Sequence, residues 1–364
     1  MSELTLEQIS KSYGSVQVLR EVSLAIAEGE FVAILGPSGC GKTTTLNIVA
    51  GFTEPDAGRV RLGGVDITRQ RPERRDTALV FQNYALFPHM TVRKNIEYGL
   101  RARRIGGAEA RARLERVGKL LGITGLEDRY PGQLSGGQQQ RVAVARALVV
   151  QPAVLLLDEP LSNLDEKLRK SVRTELRGIQ RELRQTAIIV THDHEEALSL
   201  ADRLVVMDAG RVVQAGTPDE VFSRPRTRFV ADFMGITNIF AGARSGDRFV
   251  TEGGTSLPLP GDLPGAPYVA LRPSALRLAA APAPDSTASA GTAQSGAMLH
   301  GVVADRTYLG DTVQYRVALT GQPETESVTV QASSEQAGAF ATGDRVGIEI
   351  PAGAVLPLQA DDHE

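Results

Sequence analysis

The run FVAILGPSGCGKTTTL, residues 31–46, passes from a short apolar segment through a glycine-rich turn into a threonine-rich helix start. Phe31 to Leu35 is continuously apolar, as suits a strand buried on both faces of a parallel sheet. The turn fits G-x-x-x-x-G-K-[ST] at Gly36, Gly41, Lys42 and Thr43, a loop whose glycines bring backbone amides onto phosphate oxygens. Pro37, Ser38, Gly39 and Cys40 complete the cradle. Lys42 is expected to meet the β and γ oxygens, Thr43 to ligate Mg²⁺ through its hydroxyl, and Thr44 to reach the α-phosphate. A chance glycine-rich turn is the bland alternative, and the strand before it and the helix after it argue against that. Cys40 reads as a small residue in a tight loop rather than a reactive thiol.

Outward from this run, the same apolar pattern recurs in TALVF at 77–81, AVLLL at 153–157 and TAIIV at 186–190. Helical segments separate the runs: Thr43–Ala50, Glu109–Leu121, Gln138–Val150, Asp165–Leu183 and His194–Ala201. The alternation predicts an α/β fold with a parallel sheet. Ahead of it, Leu4 and Leu6, Val16 and Val18, and Val22, Leu24 and Ile26 alternate with period two. That predicts antiparallel strands turning at Tyr13-Gly14 and Glu28-Gly29. Residues from about 90 to 150 read as a helical subdomain inserted between two core strands. Its arginines, among them Arg101, Arg103, Arg111 and Arg116, are either a basic patch for an acidic partner or the solvated side of helices.

In such a sheet, ligands bind beyond the carboxyl ends of the strands, where the following loops emerge. After TALVF comes Gln82, which can orient a water or reach Mg²⁺ without charge, or can simply be a capping or surface residue. After AVLLL come Asp158 and Glu159, whose side chains leave a strand on opposite sides. Asp158 is placed to hold Mg²⁺ and Glu159 to act as general base on the attacking water. The alternative is a helix start, with Asp158 as cap and Pro160 just inside. After TAIIV comes His192, a γ-phosphate contact or a structural histidine. Convergence of these groups at four strand ends predicts an ATP-hydrolysing site with Lys42, Gln82, Glu159 and His192 as its catalytic set.

A second glycine-rich helix start lies in LSGGQQQRVAVARAL, residues 134–148. Ser135, Gly136, Gly137 and Gln138 have the look of another anion cradle.

A length of 364 residues predicts two or three domains. A net charge of -3 supplies no basic field for nucleic acid, and 5% aromatics without tryptophan leave few platforms for stacking bases. One cysteine excludes an intramolecular disulfide and fits a reducing compartment. The N-terminus is polar, and no apolar run approaches the ~20 residues of a membrane helix. The expectation is a soluble, cytoplasmic chain that reaches a membrane through a partner. Beyond Phe233–Asn238, short strand-like runs such as YVALRPSALRL and GVVADRTYLGDTVQYRVAL predict a small β-barrel or sandwich. Residues 279–297, rich in Ala, Ser and Pro, read as a disordered linker or long loop inside it.

Together, Gly36–Thr43, Gln82, Leu134–Gln138, Val154–Glu159, Ser162–Asp165 and His192 resemble the motifs of the nucleotide-binding subunits of ATP-binding-cassette transporters, in the family's order. LSGGQ is that family's own signature. The resemblance covers residues 1–235, and residues 236–364 resemble the accessory barrel of importer ATPases in the maltose, polyamine and ferric-iron groups. It implies a P-loop NTPase sheet with an antiparallel β subdomain and an inserted helical subdomain, followed by an all-β, OB-like barrel. It implies ATP and Mg²⁺ as cofactors and a place on the cytoplasmic face of the inner membrane.

The same resemblance implies a head-to-tail homodimer. Ser135 and Gly137, within the loop that Gly136 and Gln138 complete, would meet the γ-phosphate held by the other copy, and Asp165 would cross the same interface. Tyr13 would stack on adenine, where as a bare feature it reads as a turn or core tyrosine. The segment NYALFPHM, residues 83–90, would receive a short permease helix on exposed Tyr84, Leu86 and Phe87, unless it is a buried core loop. An extracytoplasmic solute-binding protein would complete the system. The junction FMGITNIFAG resembles the polyamine group most, with ferric iron, phosphonate and sugar groups behind it. A soluble cassette ATPase of DNA repair or translation would carry a long coiled-coil insertion or a second cassette, and an exporter cassette resembles the first domain alone.

Overall fold

The computed structural model describes residues 3–259, 265–280, 297–320, 326–334, 340–351 and 353–361. The chain divides into two compact units, Met1–Val221 and Phe222–Glu364.

The first unit opens with β1 (Leu4–Tyr13), β2 (Val16–Ile26), β3 (Phe31–Leu35), α1 (Lys42–Ala50), β4 (Ala57–Leu62), β5 (Val65–Asp66) and β6 (Thr77–Val80). The helical insertion follows as α2 (Val92–Ala102), α3 (Gly107–Leu120) and α4 (Gly136–Leu148). Then come β7 (Val154–Asp158), α5 (Glu166–Leu183), β8 (Thr186–Val190), α6 (His194–Leu200), β9 (Arg203–Asp208) and β10 (Arg211–Gly216). Strands β1, β2, β4 and β5 make the expected antiparallel sheet in the order β2-β1-β4-β5. The central sheet has six strands in the order β10-β9-β3-β8-β7-β6. Its members run parallel, except that β10 returns antiparallel beside β9. Every residue of β3 and β8 is buried, which is why both read as nearly continuous apolar runs, with Thr186 the polar member.

Register decides where function can sit. Ile34 pairs with Val190, Asp158 with Val190, and Val80 with Leu157. The carboxyl ends of β3, β8, β7 and β6 therefore finish level, and the loops after them share one edge of the sheet. Helix α1 is tied at its far end by buried Arg75, which donates to the Ile48 oxygen at 2.6 Å and the Val49 oxygen at 2.9 Å. A cation on the last carbonyls of a helix satisfies orphan acceptors and complements the macrodipole.

After α7 (Pro218–Ser223), the second unit contains α8 (Arg228–Phe233) and strands β11 (Asn238–Ser245), β12 (Arg248–Thr251), β13 (Ser256–Pro258), β14 (Tyr268–Leu271) and β15 (Arg277–Ala280). It continues with β16 (Ala297–Tyr308), β17 (Thr312–Leu319), β18 (Ser327–Ser333), β19 (Arg345–Ile350) and β20 (Val355–Leu358). These form two five-stranded sheets, β13-β12-β11-β14-β20 and β15-β19-β16-β17-β18, with antiparallel pairing throughout. Phe249, Leu271, Tyr315, Val330 and Ile348 from both sheets share one core.

Two sequence expectations move here. The division falls before α8 rather than at 235–236, because Ala231 and Ile236 pack against Ala270 and Leu358 of the β unit. The segment 279–297 was expected to be a disordered loop, yet β15 runs on through Ala280 and β16 starts at Ala297. Residues 281–296 of it lie outside the described residues.

Candidate active site

The phosphate loop is shaped by close approach. Gly41 caps α1 with φ 103°, and a Cβ there would stand 2.5 Å from Leu19 Cδ2 and 2.9 Å from the Val18 oxygen. At Gly36 a Cβ would meet the Met207 oxygen at 2.2 Å. Only glycine fits either place. The buried Lys42 ammonium donates to the Gly36 oxygen at 2.7 Å and the Pro37 oxygen at 2.9 Å, so the loop curls around its own cation. Ser38 and Gly39 form the exposed rim, and Thr44 is half-buried in the first turn. Cys40 is buried 3.9 Å from the Lys42 ammonium; burial pushes its thiol up despite that charge, which suits an inert filler.

The end of β7 splits its two carboxylates. Thr43 Oγ1 donates to Asp158 Oδ1 at 3.2 Å. Burial first, and then neighbouring Glu159, push the Asp158 carboxyl above its ordinary range, against the opposing pull of the Thr43 bond and Lys42. A hydroxyl and a carboxylate are hard oxygen donors of the kind Mg²⁺ takes alongside phosphates and waters. Among the described residues no group of three or more His, Cys, Asp or Glu could hold a metal, so a cation here needs oxygens from its ligand.

Glu159 turns the other way. Its φ of 43° is left-handed for a non-glycine residue, a conformation costing about 1–3 kcal/mol, and its amide is held by the Val190 oxygen at 2.9 Å. Glu159 Oε1 lies 3.2 Å from His192 Nδ1, and Oε2 accepts from Gln82 Nε2 at 3.2 Å. His192 is 63% exposed, so it is no core histidine. The helix after Asp158 starts only at Glu166 with Asp165 as cap, which removes the helix-start reading of Asp158. Gln82 sits on the Glu159 side, where its Nε2 reaches Glu159 and Ser162 rather than Thr43 or Asp158.

Several braces were not read from the sequence. Ser162 accepts from Gln82 Nε2 at 3.3 Å and donates to the Glu159 oxygen at 3.0 Å, while Asn163 donates to the Gln82 oxygen at 2.8 Å. Beside His192, Thr191 donates to buried Glu196, whose carboxyl burial pushes up to about 7. Ser162 and Asn163 lie within the Ser162–Asp165 motif singled out in the sequence, whereas nothing there pointed to Thr191 and Glu196.

The remaining predicted residues lie apart. Ser135 caps α4 in a reciprocal box: its amide donates to Gln138 Oε1 at 3.0 Å and its Oγ accepts from the Gln138 amide at 3.4 Å. A Cβ on Gly137 would stand 2.9 Å from Leu168 Cδ2 and one on Gly136 3.2 Å from Leu164 Cδ2, so both glycines let α4 start against the α5 region. Asp165 Oδ1 accepts from the Leu168 amide at 3.0 Å. Among the described residues, no hydrogen bond joins Ser135–Gln138 to residues 36–44. Tyr13 is 52% exposed at the end of β1, with the Lys11 ammonium 5.5 Å from its ring centre.

The segment 83–90 corrects the expectation of an exposed Tyr84. Tyr84 is 5% exposed because a left-handed φ of 62° folds its ring inward, and Leu86 and Phe87 are half-buried. Exposed rings elsewhere include Phe52, Phe81 and Tyr98; Phe52 lies 6.0 Å from Phe81, and Tyr98 lies 4.8 Å from Phe87.

Comparison with known proteins adds relatives to this geometry. The ABC transporter family matches residues 19–162, and the TOBE domain matches residues 269–358. The Fe(3+) ions import ATP-binding protein FbpC of Rhizobium etli is 46% identical over 320 residues, 86% of this chain and 87% of that one. The sulfate/thiosulfate import ATP-binding protein CysA 2 of Chromobacterium violaceum is 52% identical over 268 residues, 74% of this chain and 73% of that one. The sulfoquinovosyl glycerol transport ATP-binding protein SmoE of Agrobacterium fabrum is 49% identical over 261 residues, 71% and 73% of the two chains. Among solved structures, a dimeric post-hydrolysis state of the ATP-binding cassette MJ0796 bound to ADP and Pi matches with TM-score 0.53 and 33% identity, over 59% of this chain and 98% of that one. CbiO1 of Clostridium perfringens, part of the ABC transporter complex CbiONQ, matches with TM-score 0.55 and 33% identity, over 60% and 90%.

Proposed function

This chain belongs to the ABC transporter family as the ATP-hydrolysing subunit of an importer, and from that premise we propose that its working site is shared between two copies. The phosphate loop, Thr43, Asp158, Glu159, Gln82 and His192 of one copy hold ATP, and Ser135 and Gly137 of the second close over the γ-phosphate. The observation that carries this reading is the separation within one chain: the strand-end groups converge, while exposed Ser135 makes no bond to the phosphate loop. Its Oγ accepts the capping bond and so keeps its proton for an incoming anion. The dimeric state of the matched MJ0796 cassette supports the pairing.

In the shared site, Lys42 and the loop amides bind the β and γ oxygens. Glu159 takes a proton from water as the water oxygen bonds to the γ-phosphorus and the bond to the bridging oxygen breaks, releasing ADP and phosphate. Gln82 and His192, one on each carboxylate oxygen, orient that base. Thr43 and Asp158, with Gln82 nearby, would hold Mg²⁺, which when bound neutralises charge on the β and γ oxygens. Tyr13 flanks the adenine, and Asp165 sets the start of α5 at the shared face. ATP favours the closed pair only through contacts that the open chains lack, so loss of the γ-phosphate releases it.

The pair works beneath permease subunits on the cytoplasmic face of the inner membrane, with a solute-binding protein on the far side. Among the described residues no helix is long and apolar enough to cross a membrane. The permease docks near Tyr84–Met90, against exposed Phe52, Phe81 and Tyr98. For the solute, the FMGITNIFAG junction favours a polyamine, whereas the three relatives carry Fe(3+), sulfate or thiosulfate, and sulfoquinovosyl glycerol in their names. Ferric iron is the stronger reading, because that similarity spans 86% of this chain, both units included. Deleting the coding region in its host is expected to remove uptake of labelled ferric iron and to spare sulfate and spermidine. Loss of either of those instead would reassign the solute.

A further inference from the structure

Arg146, in the last turn of α4, reaches a backbone segment with two adjacent left-handed residues. Its guanidinium is half-buried and pairs with no carboxylate among the described residues. It donates instead to two consecutive carbonyls, Nη1 to the Ala85 oxygen at 2.7 Å and Nη2 to the Tyr84 oxygen at 2.9 Å. The Phe87 ring lies beneath it at 5.5 Å. The two carbonyls belong to adjacent left-handed residues, Tyr84 at φ 62° and Ala85 at φ 45°, neither of them glycine. Successive left-handed residues turn their carbonyls to one side, where the planar fork of an arginine collects both. The Tyr84 side chain adds no hold of its own, since its buried hydroxyl has no hydrogen-bond partner among the described residues. At the other end of the loop, Asn95 of α2 accepts from the Phe87 amide at 2.9 Å and donates to the Phe87 and Met90 oxygens at 3.1 Å.

Gln82 begins this loop and bonds to Glu159, while α4 begins at Ser135. We propose that Arg146 is a positioning residue: by clamping the left-handed pair Tyr84-Ala85, it fixes the Gln82 loop to the signature helix, so that both shift together when nucleotide binds. This rests on the shared-site reading, in which Gln82 serves the chain's own ATP and Ser135 serves the partner's. A lysine in its place keeps the charge and loses the fork.

The test measures the Mg-ATP concentration at which Glu159→Gln chains pair, read by light scattering. Adding Arg146→Lys is expected to raise that concentration about tenfold, while ATP binding to the unpaired chain changes less than about twofold. Adding Ala85→Gly as well is expected to recover part of that loss, because glycine holds one of the two left-handed positions unaided, though it restores no bond to α4. A purely packing role for Arg146 would not respond to Ala85→Gly. Pairing of the Arg146→Lys chain at the parent concentration, or no recovery with Ala85→Gly, would overturn the proposal and leave the shared site standing. A Glu159→Gln parent that never pairs would sink both. Hydrogen exchange in the unaltered chain gives a reading free of folding defects. The amides of residues 84, 85 and 87 are expected to open together with those of 141–146, and separate opening of the loop would contradict the clamp.

Discussion

Helices α1 and α4 both begin at glycines, yet they treat the unpaired amides of a helix start in opposite ways. Gly41 caps α1 with no side-chain bond, and its neighbours Val18 and Leu19 leave no room for a Cβ. The first amides of α1 therefore have no side-chain cap, the kind of helix start that suits an anion. Helix α4 ties the Ser135 and Gln138 amides through its own capping box, and its glycines make room for Leu164 and Leu168 beside it. One start is a cradle, the other a finished helix with a hydroxyl proton to offer. The residue at the cap tells them apart: glycine leaves amides open, and serine with glutamine three positions on closes them.

Lys42→Ala strikes the cradle hardest. Turnover should fall by about a hundredfold or more, measured as phosphate release, and near-normal release would remove Lys42 from the phosphate site. Glu159→Gln should lower kcat by about a hundredfold while ATP affinity holds, since it deletes the base and leaves the cradle intact. A third helix start, α6, extends the contrast because Asp193 caps it and Glu196 lies buried in its first turn. The Glu196 carboxyl stands at about 7 against an ordinary 4.5, so the folded chain binds its proton more tightly. Stability from this group is present below 4.5 and is lost as pH rises through about 7. Relative to Glu196→Gln, the unaltered chain should therefore lose on the order of 3 kcal/mol across that window, read from denaturant midpoints at stepped pH. A flat difference would mean Glu196 does not carry the proton. The smallest effect belongs to Ser135→Ala, which should cost about 1 kcal/mol of stability through the lost cap. No loss in thermal unfolding would show that the box is idle.

Much of the parallel sheet was legible because strands buried on both faces are apolar nearly throughout, as FVAIL and, apart from Thr186, TAIIV are. Strand β9 went unnamed, since RLVVMD begins and ends in charge and its pairing to β3 depends on contacts distant in sequence. The order of strand ends and their polar residues was readable; the left-handed turn at Glu159, which sends its carboxylate to His192 rather than Asp158, was not. Propensity gives no warning of a strained non-glycine residue, because surrounding packing imposes it. The same blindness hid Tyr84, whose ring was expected outside and is folded in. Arg146 was invisible for a simpler reason: an arginine in an alanine-rich amphipathic helix reads as its solvated side.

The central claim is that no single chain assembles a whole ATP site. Its most direct measurement is the molar mass of the Glu159→Gln chain by light scattering under saturating Mg-ATP, with Ser135→Arg added in a parallel sample. The account predicts twice the single-chain mass for the first and single-chain mass for the second. A Glu159→Gln chain that stays single, or a Ser135→Arg chain that pairs all the same, would contradict it.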